Sequence, residues 1–150
     1  MSIKIIAIVV LVLIILAVGF VLWRRRRPIQ TDRFQQRWHD VQQQCRDKAA
    51  WPKAVLDADK LLDEALRKRR FGGKTMGERM VKAQRTFTDN DGVWFGHKLR
   101  SKIESDPEMK LKESDVKDAL IGIRQALKDL GALPQSKKSN DDDEKTNDDK

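Results

Sequence analysis

An all-α fold is what the sequence predicts: an N-terminal transmembrane helix, a bundle of four or five helices, and a disordered acidic tail. Three observations predict it. Residues 5–23 run for nineteen positions without a charge. Between Thr31 and Gly131 apolar residues recur three and four positions apart in several segments with helix-capping chemistry, and no strand-like alternation accompanies them. The last sixteen residues, 135–150, contain no large apolar side chain to bury.

The first run, at about 1.5 Å per residue, reaches roughly 28 Å, the depth of a bilayer core. Hydrocarbon offers the backbone no partner, so helix is the workable form for a lone span. Trp23 then falls at the headgroup boundary, where aromatic rings settle. A cleaved signal would be shorter and would end in small residues. This run instead ends Gly19-Phe20-Val21-Leu22-Trp23 and meets Arg24, Arg25, Arg26 and Arg27, so an uncleaved anchor over residues 1–27 is expected. The more basic flank is retained, which predicts a single-pass protein of the inner membrane, with its N-terminus outside and its remaining domain cytoplasmic.

The net charge of +8 is divided as +5 up to residue 27, +5 over residues 28–134 and −2 over residues 135–150. The expected partners of the arginine collar are the lipid bilayer and its anionic headgroups, at about 1 kcal/mol for each Lys or Arg near the surface. The rest of the basic excess is spread rather than gathered in one arm, so RNA binding is expected to be weak and salt-sensitive. Cys45 is the one cysteine, so no intramolecular disulfide can form, and it reads as a small buried hydrophobe.

Residues 28–50 form a linker and a first cytoplasmic helix, begun by Thr31-Asp32 and carrying Phe34, Trp38, Val41 and Cys45 on one face. Residues 51–134 form the bundle. Trp51-Pro52 starts a second helix with Val55, Ala58, Leu62, Ala65 and Leu66 in a stripe, ended by Arg67-Lys68-Arg69-Arg70 and Gly72-Gly73. Thr75 and Glu78 fit a capping box opening a third helix through Met80, Ala83 and Phe87. Asp89-Asn90-Asp91-Gly92 reads as a turn before a fourth segment with Phe95, Leu99 and Ile103. Ser114 is placed as the cap of a last helix with Val116, Ala119, Leu120, Ile123, Leu127 and Leu130 inside and Gly131 at its stop.

Several chemistries find no pattern here. Gly72-Gly73-Lys74-Thr75 lacks the first glycine of a phosphate loop and no strand precedes it. His39 and His97 have no cysteine or carboxylate at ligand spacing, so neither a metal nor another cofactor is expected. Ser101, Ser105 and Ser114 each read as helix-end residues rather than as nucleophiles with a base beside them.

One stretch carries a resemblance: Trp94-Phe95-Gly96-His97-Lys98-Leu99-Arg100-Ser101-Lys102-Ile103-Glu104-Ser105. It resembles the "HKLRNxIAH" segment of HEPN-type helical domains, in particular of small bacterial membrane proteins of similar layout. The likeness extends to residues 54–63, 75–79 and 126–131. It implies an HEPN-like bundle. In HEPN ribonucleases an arginine, a following polar residue and a histidine five positions after the arginine cut RNA without metal. Arg100 and Ser101 match the first two places, whereas Ser105 stands at the third and cannot serve as a base near neutral pH.

The sequence therefore points to a membrane-anchored binding or scaffolding module with no catalytic residue. His97, Lys98, Arg100 and Ser101 are the expected binding residues, and the expected partner is a protein, with a homodimer among the forms allowed. The alternative is a membrane-tethered HEPN-type ribonuclease or RNA-binding protein, for which Arg100 and His97 are the catalytic candidates.

Overall fold

The structure, a computed structural model, describes residues 2–25 and 29–135. Within them lie six α-helices and no strand: α1 (Ser2–Arg25), α2 (Thr31–Gln44), α3 (Trp51–Lys68), α4 (Met76–Ala83), α5 (Asn90–Ser105) and α6 (Glu113–Asp129). A short 3-10 turn, Lys48–Ala50, leads into α3.

The expected membrane crossing is corrected here. Among the described residues no helix is long and apolar enough to cross a membrane. The transmembrane helix, the single-pass description and the inner-membrane location with its orientation are therefore withdrawn. The side chains of Trp23, Arg24, Arg25, Arg26 and Arg27 lie outside the described residues, as do residues 136–150, on which most of the acidic-tail expectation fell.

The rest is organised around α3, which packs against α2, α4, α5 and α6. Its apolar residues form one broad face, so Ala54, Val55, Ala58, Leu61, Leu62, Ala65 and Leu66 are all fully buried. Phe34, Trp38 and Val41 of α2 join the same core, and so does Ile29. The indole Nε1–H of Trp51 donates to the carbonyl of Cys45 at 3.0 Å, which fastens the end of α2 to the start of α3. A smaller cluster of Trp51, Val55, Leu99, Ile103, Val116 and Ala119 closes the other end. Leu120, placed inside by the sequence stripe, is only partly buried and packs against both clusters.

α5 and α6 make the closest crossing. A Cβ on Gly96 would lie 2.9 Å from Ile123 Cδ1 and 3.0 Å from the Ala119 carbonyl oxygen, and one on Gly122 would overlap the Gly92 backbone. Only glycine lets the two backbones approach this far.

Local signals account for several helix ends. Thr75 Oγ1 accepts from the Glu78 N–H at 3.2 Å as expected, while Glu78 Oε2 accepts from the N–H of Lys74, one residue before the cap, at 2.7 Å. Gly131 takes a left-handed conformation (φ 70°) after α6. Three expectations change. Asp89 is the N-cap of α5, its Oδ1 accepting from the Gly92 N–H at 2.9 Å, so the acidic turn is the helix start. Ser114 lies inside the first turn of α6, whose N-cap is Lys112 without a side-chain bond. α4 stops at Ala83, and Phe87 is buried beyond it.

Candidate functional site

The sequence of α3 sets two carboxylates, Asp59 and Asp63, one helical turn apart at the edge of its apolar face, beside the fully buried Leu61 and Leu62. Asp59 is 2% exposed. A carboxylate so placed needs partners, because an unpaired buried charge is costly. α5 supplies them: His97 Nδ1 lies 3.0 Å from Asp59 Oδ1, and Arg100 Nε lies 3.5 Å from Asp59 Oδ2. The spacing of three between His97 and Arg100 puts both on one face of α5. Arg100 also reaches Glu104 Oε1 at 2.8 Å. The Trp94 ring meets the His97 imidazole edge to face, with centroids 6.1 Å apart.

Asp63 is bound from the opposite side. Arg79 of α4, 5% exposed, gives it Nε at 2.7 Å and Nη2 at 2.6 Å, while Arg67 Nη2 approaches at 2.9 Å. Arg79 Nη1 also donates to the Gly73 carbonyl at 2.7 Å, which holds the α3–α4 connection against α4.

Between these two pairs lies an open cleft of about 730 Å³ formed by α3, the start of α4 and α5, with Asp59, Asp63, His97, Arg100, Lys74 and Met76 among its walls. Both signs of charge are present, but the carboxylates are already engaged by cations. Lys60 and Lys74, also in the wall, make no ion pair within the described residues. The cleft can thus hold a polar group by hydrogen bonds and charge.

Of the residues expected from sequence, the structure brings His97 and Arg100 into this cleft and leaves Lys98 and Ser101 exposed outside its walls. Ser101 Oγ donates to the His97 carbonyl at 3.1 Å, and Ser105 Oγ donates to the Ser101 carbonyl at 2.9 Å, so both hydroxyls are turned onto their own helix. No group of three or more potential metal ligands occurs among the described residues. Sequence reasoning missed Asp59, Asp63 and Arg79. The signal for Asp59 was present: an aspartate between Ala58 and Leu61, inside an apolar stripe, asks for a cation from elsewhere in the fold.

Compared with known proteins, the chain matches no family model, no curated protein and no solved structure.

Proposed function

We propose that this bundle is a non-catalytic binding module and that the cleft over Asp59 receives a charged group of a protein partner. The observation that carries the reading is the state of the cleft side chains. Arg100 is shared between Asp59 and Glu104, and Arg79 is spent on Asp63 and Gly73. Such groups hold a shape and accept further hydrogen bonds; they are poorly suited to follow charge that develops on a reacting atom. Ser105, at the place where the resembled ribonucleases need a histidine, faces its own helix.

One observation favours a second reading, RNA cleavage. His97 Nδ1 is engaged by the buried Asp59, which leaves Nε2 as the ring nitrogen for a ligand, and an imidazole oriented by a carboxylate can act as a base.

One assay divides the two readings. The purified chain is incubated with structured and with single-stranded RNA, with and without divalent metal, beside His97→Ala and Arg100→Ala. Intact RNA throughout is the expected result. Cleavage by wild type that both variants lose would establish the ribonuclease reading. Binding is read separately, by a photocrosslinker at Lys60 in cells that naturally express the chain. A discrete crosslinked protein species that Arg100→Ala weakens is expected, and its absence under conditions that crosslink a control site counts against the module.

A further inference from the structure

Beside the cleft, the α3–α4 connection builds a second concavity of about 430 Å³ whose wall is basic and contains no carboxylate. Arg67, Arg70, Lys74 and Arg79 line it together with Gly72 and Gly73. Lys82 extends the cluster, its Nζ lying 3.6 Å from where a Cβ on Gly72 would sit. The two nearest acids are already used: Asp63 holds Arg67 and Arg79 from behind, and Glu78 accepts the Lys74 N–H.

The backbone contributes as well. Neither the Gly72 nor the Gly73 N–H has an acceptor among the described residues. A side chain could not replace Gly73, whose Cβ would fall 2.8 Å from Glu78 Cβ and 3.0 Å from the Arg79 nitrogen. The connection is pinned from below by the bond of Arg79 to the Gly73 carbonyl. Donors from backbone and side chain therefore share one small, braced loop.

Arg70 is the most telling member. It adopts φ 62°, the left-handed conformation that L side chains disfavour, and it is the one non-glycine residue among those described to do so. The Phe71 N–H donates to the Leu66 carbonyl at 3.1 Å and the Arg70 N–H to the Arg67 carbonyl at 2.9 Å, so Arg70 occupies the place in a helix stop where glycine is usual. Gly72 and Gly73 follow after Phe71, yet the left-handed position carries a guanidinium. Strain kept beside a cavity is a reason to look for a function there.

We infer that this loop is a phosphate-binding site for a small phosphorylated ligand. Planar guanidinium forks pair with phosphate oxygens two at a time, and lysine adds a mobile point charge. No Walker motif is involved, since no strand precedes the loop. The cations converge on one connection rather than forming a track, which suits one phosphate or a pyrophosphate and not an extended nucleic-acid backbone. The inference does not depend on the reading of the Asp59 cleft, although Arg67, Lys74 and Arg79 border both.

The test uses the purified full chain with inorganic phosphate and pyrophosphate as probes, at constant ionic strength set with chloride, read by calorimetry and by the melting temperature. Saturable binding with a rise in melting temperature is expected. Arg70→Gly relieves the left-handed strain, so it should melt at or above the wild-type temperature while losing about tenfold or more in pyrophosphate affinity. Lys74→Gln should lose affinity in the same sense. Lys117→Gln, on α6 and outside this cavity, should bind as wild type does. Absence of saturable binding to wild type overturns the inference, and so does unchanged affinity in Arg70→Gly. Binding of a 20-nucleotide RNA that pyrophosphate does not displace, together with no binding of pyrophosphate itself, would overturn it in favour of a nucleic-acid surface.

Discussion

Arg79 is 5% exposed and places two guanidinium nitrogens within 2.7 Å of one oxygen of Asp63, so the α3–α4 contact is made through a buried charge pair. Its removal should be asymmetric. Asp63→Ala leaves the guanidinium buried without its counter-charge and should cost about 3–5 kcal/mol, measured by urea unfolding. Replacing both partners, Asp63→Leu with Arg79→Met, should cost much less than that single change. A double variant as unstable as the single one would show that the loop, not the pair, sets the energy.

The crossing of α5 and α6 has no room for a methyl group at Gly122. The obstacle is the Gly92 backbone and not a flexible side chain, so Gly122→Ala must push the helices apart. A loss of about 3 kcal/mol is expected, at the upper end for added bulk in a packed interior. Gly19→Ala, with nothing within 4 Å of its Cβ position, should leave thermal stability unchanged in the same melting experiment.

Asp57 provides a pH test. Partial burial pushes its carboxyl up, but hydrogen bonds from Lys53 and Gln44 and the charges of Lys53 and Lys60 outweigh this, and the net displacement is below its ordinary 3.8. A group whose folded value is depressed adds stability that is present above the unfolded value and lost as pH falls through the folded one. Wild type should therefore lose more stability than Asp57→Asn as pH is lowered from 5 to below the folded value, in parallel denaturant titrations. Equal slopes for the two proteins would remove Asp57 from the acid response.

Burial raises the Cys45 thiol above its usual value, and its Sγ also donates to the Val41 carbonyl at 3.2 Å. Less thiolate is then present at pH 8 than in an open peptide, so alkylation by iodoacetamide should be slower than that of a model cysteine. Adding denaturant should bring the rate up to the model value. A thiol that reacts at the peptide rate in the folded chain would contradict this.

The sequence by itself determined the features that live within a turn or two of chain. Residues three and four apart share a helix face wherever they occur, so Phe34, Trp38 and Val41 could be placed inside before any partner was known. Thr75 with Glu78, and Gly131 after α6, are likewise local chemistry and appear where the residue types put them. The membrane span was read from one uncharged run and its basic flank, and the described residues do not supply a helix that meets its length and apolarity. Arg70 was hidden for a subtler reason: two nearby glycines offered an obvious stop, and the chain turned left-handed two residues earlier. Only the tertiary structure decided the site. Asp59 and His97 are 38 positions apart and Asp63 and Arg79 are 16 apart. No periodicity links them: His97 reaches Asp59 because α5 packs on α3 as well as on α6, where Gly96 and Gly122 allow the close crossing, and Arg79 reaches Asp63 because α4 folds back on α3. Charge pairing acts through space once that packing exists, so the residues that make the cleft could not be joined until the backbones had met.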